Sequence, residues 1–138
     1  MSRAAAGGPT QHKECRAGER GSAVVDFVLV GGLLTMFFLA IIQLTLVLHV
    51  RNTLIDAAAS GARYGTLADR NASDAAERTR SLIGTALNNS FAEEVSASEV
   101  DMQGVRVLEV TVRAPLPVIG LIGLRDLLEV KGHAAVQG

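Results

Sequence analysis

The most constraining feature of this chain is an apolar run without a single charged side chain from residue 27 to residue 50. As a helix, such a run would extend roughly 36 Å, which exceeds the roughly 30 Å hydrocarbon core of a bilayer. The run therefore predicts a transmembrane helix and excludes an ordinary soluble domain. No other apolar stretch in the 138 residues is long enough to span a bilayer, which excludes a multi-span transporter.

A cleaved secretory signal is the other interpretation of an apolar run near the start of a chain. Such a signal has an apolar region of about 7 to 15 residues followed by a cleavage site of small residues. The run here is longer, and the small residues at 57–62 lie beyond a full span, where they suit a continuing helix. We therefore favour a membrane anchor over a secretory signal.

The distribution of basic residues predicts the orientation of the span. Residues 1–21 carry four basic and two acidic side chains, a net charge of +2, whereas residues 51–138 carry nine basic and eleven acidic side chains, a net charge of −2. Basic residues concentrate on the cytoplasmic side of membrane proteins. The N-terminus is therefore expected inside and the C-terminal region outside. The four basic residues before the span are Arg3, Lys13, Arg16 and Arg20.

The segments around the span predict an α+β protein. Residues 1–21 form a polar leader without hydrophobic periodicity, which we expect to be disordered. Residues 22–68 are expected to form the transmembrane helix and its extension. Residues 69–138 are expected to form a small extracytoplasmic module, a helix with a short antiparallel sheet. The fold class is thus a long N-terminal transmembrane helix that continues into a small α+β module.

Two helical patterns follow the span. Small residues recur at intervals of three and four, which allows close approach of helix backbones; the stripe comprises Leu54, Ala57, Ala58, Gly61, Ala62 and Gly65. After a break at residues 69–71, either Asn71 or Ser73 is expected to cap a second helix that reaches about residue 89. Asp74 in its first turn favours the helix dipole.

The remaining residues predict two or three short strands. Valine and leucine alternate with polar residues over 105–113, but the phase slips between Val107 and Leu108, which indicates either a bulge or a strand buried on both faces. Pro115 and Pro117 are expected to end that strand, and a last strand is expected over 128–136. So small a sheet needs the second helix across one face.

Patterns typical of catalysis or ligand binding are missing from the sequence. The three histidines lie in separate segments without ligand partners at metal-binding spacing, and no nucleophile and base combination is recognisable. The single cysteine, Cys15, excludes an intrachain disulfide. A net charge of −1 does not indicate the excess of basic residues that is typical of nucleic-acid binding. We therefore predict no catalytic residue, metal, cofactor, nucleic-acid partner or small-molecule substrate.

Asp26 is the one charged residue within the apolar stretch of residues 22–50, and it lies at the inner edge of the span. A carboxylate in a bilayer is costly and usually has a partner or a function. A simpler interpretation is that Asp26 marks the start of the helix, where a negative charge suits the dipole. Both interpretations remain open from composition alone.

The residues around Asp26 resemble a type IV prepilin processing site. Residues 19–27 read ERGSAVVDF, a glycine followed five residues later by an acid and then by the apolar helix. More narrowly, the chain resembles the TadE-like proteins of tight-adherence (Flp-type) pilus systems, which open with R-G-x-x-x-[VA]-E-F. That family continues after the span with R-N-x-L-x-x-A-A-x-x-G-A-R-Y, and residues 51–64 here read RNTLIDAAASGARY. Asp26 departs from the family's usual glutamate.

The resemblance assigns roles to individual residues. It implies cleavage by a prepilin peptidase between Gly21 and Ser22, with Asp26 and Phe27 serving processing and assembly. It also implies helix packing by the second motif, through Ala58, Gly61, Ala62, Arg63 and Tyr64.

The function implied by the resemblance is that of a minor pilin or pseudopilin, which is a substrate of an enzyme and not an enzyme itself. The long C-terminal region favours a minor role, because major Flp-type pilins are much shorter. Expected partners are the membrane, the prepilin peptidase, other pilins or pseudopilins, and the pilus assembly machinery. The expected location is the bacterial cytoplasmic membrane and, after assembly, the cell surface or pilus. The alternative is an uncleaved single-pass anchor with a small extracytoplasmic interaction module.

Overall fold

A computed structural model describes residues 11–117 and 127–137, with side chains described for 18–117 and 128–137. Two helices come first, α1 (Gln11–Gly65) and α2 (Ala72–Ala86). A short 3-10 helix (Asn89–Ala92) leads into three strands, β1 (Glu94–Met102), β2 (Val105–Pro115) and β3 (Leu127–Ala135). The predicted α+β class, with one long apolar N-terminal helix, is confirmed.

The chain divides into two compact units, Met1–Ile41 and Ile42–Gly138. In the first unit, the described large apolar side chains of α1 are exposed, as in Phe27, which is 79% accessible. A continuous apolar surface of this kind is incompatible with water and suits lipid. We call the second unit, Ile42–Gly138, the C-terminal module.

The expectation of a disordered leader is wrong for residues 11–21, which are helical as the first part of α1. Residues 1–10 lie outside the described residues. The stretch after Pro9 contains good helix formers such as glutamine, lysine, glutamate and arginine and no further proline, so nothing interrupts the helix before the span. Helix α1 also ends at Gly65, three residues before the predicted boundary at residue 68. The amides of Thr66 and Leu67 donate to the carbonyls of Arg63 and Tyr64 and so form a turn at its end.

A capping box begins α2 and decides between the two proposed caps. The side chain of Asn71 accepts a hydrogen bond from the Asp74 amide at 3.1 Å, and the Asp74 carboxylate accepts one from the Asn71 amide at 3.0 Å. The helix ends at Ala86 and not near residue 89 as expected. Asn88 instead caps the 3-10 helix, because its side chain accepts from the Ser90 amide in competition with a helical backbone.

The sheet has the order β1-β2-β3 and is antiparallel throughout. β1 and β2 form a hairpin whose two connecting residues, Gln103 and Gly104, both have positive φ, as a type I′ turn requires. Every residue of β1 has a partner in an unbroken register with β2, so the proposed bulge is wrong.

The alternative, a strand buried on both faces, holds only at Val107, because the other residues on the outer face of β2 are exposed or half-buried. Leu108, Val110 and Val112 face the helices and are buried, whereas Val107 on the opposite face is buried between its register partners on β1 and β3. β2 ends at Pro115 as predicted, and the final strand is confirmed at Leu127–Ala135. Most of the connection between these strands lies outside the described residues.

The core of the C-terminal module lies between the helices and the inner face of the sheet. Leu54, Ile83 and Val110 are fully buried there. The backbones approach most closely at Gly132 of β3, where a Cβ atom would lie 2.4 Å from the Ala58 carbonyl carbon. Glycine at this position is therefore a requirement of helix-to-sheet packing.

The outer face of the sheet carries a polar cluster around Glu109. Its carboxylate accepts hydrogen bonds from His133 Nε2 at 2.8 Å and from Lys131 Nζ at 3.1 Å. The hydrogen bond from His133, followed by that from Lys131, lowers the pKa of Glu109 below its usual value of 4.5, against a smaller opposing effect of burial. The cluster thus ties β2 to β3 on the face opposite the core.

Replacement of Gly132 by alanine should destabilise the C-terminal module by about 1 to 3 kcal/mol, because the new methyl group meets backbone atoms that cannot rotate away. Urea unfolding of the full chain in detergent micelles can be followed by the emission of Tyr64, the one tyrosine in a chain without tryptophan. Gly84→Ala is the matched control, since its methyl group would meet only the movable Asn89 side chain. Equal stability of the Gly132 variant and wild type would contradict the packing described.

Glu109→Gln should make the free energy of unfolding less dependent on pH under acidic conditions. A carboxylate whose folded pKa is lowered stabilises the fold above its unfolded pKa and loses that contribution as the pH falls through the folded value. The window here lies below about pH 4.5. The free energy of unfolding, measured at intervals from neutral to acidic pH, should therefore decrease less steeply in the variant than in wild type below that pH. Parallel profiles would show that Glu109 does not contribute in this way.

Candidate functional site

The predicted processing residues lie on the first unit and are all accessible. Gly21, Ser22, Asp26 and Phe27 are exposed residues of α1. A Cβ atom built on Gly21 would meet no heavy atom within 4 Å, apart from its own helix and chain neighbours. Nothing within the described part of this unit therefore covers the peptide bond between Gly21 and Ser22.

Asp26 lies one helical turn after Ser22, on the same side of α1. Its carboxylate makes no hydrogen bond or ion pair with any residue that the structure describes. An exposed carboxylate on an otherwise apolar helix can pair with a cation from another molecule. The geometry of a single chain thus leaves Asp26 available for an intermolecular contact.

The predicted packing residues lie in the C-terminal module and contact α2 and the sheet. Ala58 and Ala62 are fully buried. A Cβ atom on Gly61 would lie 1.8 Å from Thr79 Oγ1 and 2.8 Å from the Ala75 carbonyl oxygen. Thr79 is itself buried and donates its hydroxyl to that same Ala75 oxygen at 2.8 Å. The stripe of small residues thus allows the α2 backbone to approach α1 closely, with the Thr79 side chain packed against Gly61.

The last two motif residues have different surroundings. Arg63 is exposed in the last turn of α1. Tyr64 is half-buried, and its ring lies 4.9 Å from the guanidinium carbon of Arg70 and 5.7 Å from that of Arg78. Sequence inspection did not identify Arg70 and Arg78, because no spacing rule connects them with Tyr64. Only the turn between the two helices brings them together.

The described residues present open surfaces and no enclosed cleft with reactive groups. Among them, no group of three or more His, Cys, Asp or Glu side chains is arranged to hold a metal ion. One concave surface, of about 390 Å³, lies on the polar outer face of the sheet, between Glu93 and Lys131.

Comparison with known families identifies one match, to the TadE-like protein family over residues 21–63. No curated protein and no solved structure matches the chain. The matched segment begins at Gly21 and includes the apolar run, the stripe of small residues and Arg63. The resemblance noted in the sequence is thereby confirmed, and residues 21–63 are a TadE-like segment.

Proposed function

We propose that this chain is a minor pilin or pseudopilin of a tight-adherence pilus or a related secretion apparatus. The observation that carries the proposal is the TadE-like segment, which starts at Gly21 and joins a candidate processing site to an apolar helix. TadE-like pilus proteins are structural and not enzymes, and this role agrees with the open surfaces of the C-terminal module. The apolar helix holds the chain in the cytoplasmic membrane before assembly.

A prepilin peptidase is the proposed processing enzyme, and it cleaves between Gly21 and Ser22. Both residues are exposed, and glycine leaves the backbone open to a protease. Cleavage would remove the polar leader and leave Ser22 with a free α-amine, whose pKa in a solvated peptide is about 7.7 to 8.0. The new N-terminus would then begin directly at the apolar helix.

Asp26 is the proposed partner of that new amine, across two subunits. Either charge alone is costly in a bundle of apolar helices, and pairing offsets part of that cost. The exposed position of Asp26 and its lack of a partner among the described residues support such a contact. The pair would fix the register between neighbouring helices, because only one axial offset brings the two charges together.

The uncleaved membrane anchor remains the second candidate, and one observation favours it. Helix α1 begins at Gln11 and includes residues on both sides of the Gly21–Ser22 bond. A helical peptide bond is a poor protease substrate, because its backbone groups are already hydrogen-bonded within the helix. The anchor predicts the same span and orientation without shortening of the N-terminus.

The proposed orientation places the C-terminal module outside the cytoplasm. Trypsin added to intact spheroplasts should cleave after Arg70, which is exposed in the turn between α1 and α2. The basic leader should resist trypsin until the membrane is permeabilised. Protection of Arg70 together with cleavage of the leader in intact spheroplasts would reverse the assignment.

Mass spectrometry of the protein extracted from membranes should identify Ser22 as the first residue. Gly21→Val should block processing, because a β-branched side chain adds bulk where the peptidase must approach the backbone. Gly18→Val is the matched control, since Gly18 is equally open on the same helix and three residues away from the proposed site. An intact leader in cells with an active peptidase would support the uncleaved anchor instead.

Asp26→Ala should be processed but should fail to cross-link to neighbouring subunits in membranes. Removal of one partner leaves the Ser22 amine unpaired in an apolar bundle, which lowers the association constant by on the order of two to four decades. Asp26→Asn should fail similarly, because it retains the size but loses the charge. Asp26→Glu is the charge-retaining control and should assemble at least as well as wild type. Wild-type cross-linking by Asp26→Ala would leave only the helix-start role for this residue.

A further inference from the structure

A cluster of one tyrosine and two arginines lies where α1 meets α2. The guanidinium groups of Arg70 and Arg78 both lie against the Tyr64 ring, at 4.9 Å and 5.7 Å from its centroid. An arginine that stacks on a ring keeps its in-plane N–H donors available, because the ring occupies only the face of the guanidinium. We call Tyr64, Arg70 and Arg78 the arginine cluster.

The arginine cluster has donors without acceptors. Within the described part of the chain, neither guanidinium forms a hydrogen bond or an ion pair. Two carboxylates line the same concave surface of about 290 Å³. That of Asp74 accepts the Asn71 amide, and that of Glu77 is exposed and forms no ion pair with either arginine. The guanidinium groups of Arg70 and Arg78 can therefore donate hydrogen bonds to carboxylate oxygens of another molecule.

An acidic segment that could complement the arginine cluster comprises Glu93 and all of β1. Residues 93–102 contain four acidic side chains and no basic one. Glu99 pairs with Arg106 at 4.0 Å, and Asp101 accepts the Gly104 amide at 2.8 Å. The other two acids, Glu93 and Glu94, are exposed and have no such partner among the described residues.

The basic residues beside Glu93 and Glu94 are already engaged, and one of them, Arg80, donates its Nη2 to the Val95 carbonyl at 2.7 Å. Arg113 lies opposite Glu94 in the register of the sheet, but its Nε donates to Glu129 at 2.9 Å. Lys131 lines the same concave surface and donates to Glu109 at 3.1 Å. Glu93 and Glu94 thus present two carboxylates that the chain itself does not neutralise with a direct contact.

We propose that the arginine cluster of one copy binds the Glu93 and Glu94 carboxylates of a second copy. The concave surface of the arginine cluster and that of the acidic segment share no lining residue, so each copy presents both. A contact between two different surfaces of identical chains is head-to-tail, and it extends into a row or a ring instead of closing as a dimer. This contact uses only the C-terminal module and does not depend on processing at Gly21.

The strength of the contact follows from its exposure. Single exposed ion pairs are weak, so two arginines and two glutamates give a low affinity between free chains. Anchoring in one membrane raises the local concentration of the partner surfaces and makes such a contact effective. Salt should weaken it, because exposed charges are screened.

Disulfide trapping in vesicles tests this contact without altering its charges. Full-length chains with Cys15→Ser would carry either Ser81→Cys, beside the arginine cluster, or Ser96→Cys, beside the acidic segment. The two chains would be mixed in phosphatidylcholine vesicles at low salt and oxidised. The disulfide-linked dimer of the Ser81→Cys and Ser96→Cys chains should form in about five times the yield of a control mixture. In the matched control, Ser60→Cys replaces Ser81→Cys, and Ser60 is an exposed serine on α1. Equal yields from the two mixtures would overturn the proposal.

Charge exchange then distinguishes a specific contact from a damaged fold. Arg78→Glu in the first chain should lower the yield roughly tenfold, and Glu94→Arg in the second chain should restore most of it.

Tyr64→Leu should also lower the yield, whereas Tyr64→Phe should not, because only the ring is required to hold the arginines. Failure of the exchange to restore the yield would contradict the contact. Because these vesicles contain no peptidase, the contact is measured independently of the proposed processing at Gly21.

Discussion

The close approach of helix backbones to their neighbours is the interaction on which the C-terminal module depends. At Gly61 and Gly132, a single added carbon atom would overlap α2 or α1, respectively. Small side chains at these positions remove the spacing that leucine or valine would impose. The resulting contacts fix where α1 ends relative to α2, and they bring Tyr64 beside the two arginines.

The first unit is governed by a different constraint, because its surface is apolar with few interruptions. A bilayer would cover that surface, and in the proposed assembly the apolar surfaces of other helices would cover it instead. Against such a background, a single carboxylate has a large effect on how helices can be arranged. If Asp26 pairs with a second subunit as proposed, it matters less for the stability of one chain than for the choice of its neighbours.

The TadE-like segment and the arginine cluster overlap only in part. Residues 21–63 include the proposed processing site and most of the small-residue stripe. Tyr64 follows the matched segment directly, whereas Arg70, Arg78 and the acidic start of β1 lie further along the chain. The family match thus covers the apolar helix, whereas the charged surfaces proposed for contact between copies lie in the C-terminal module.

The sequence by itself determined the features that depend on local chemistry. The span follows from an uninterrupted apolar run and the end of β2 from Pro115, and local chemistry narrowed the cap of α2 to Asn71 or Ser73. The tertiary structure decided the rest. β1 carries Glu94, Glu99 and Asp101, which have low strand propensity, and it is a strand because its backbone pairs with β2. The burial of the small-residue stripe and the partners of Tyr64 likewise depend on residues distant in sequence, which no local pattern specifies.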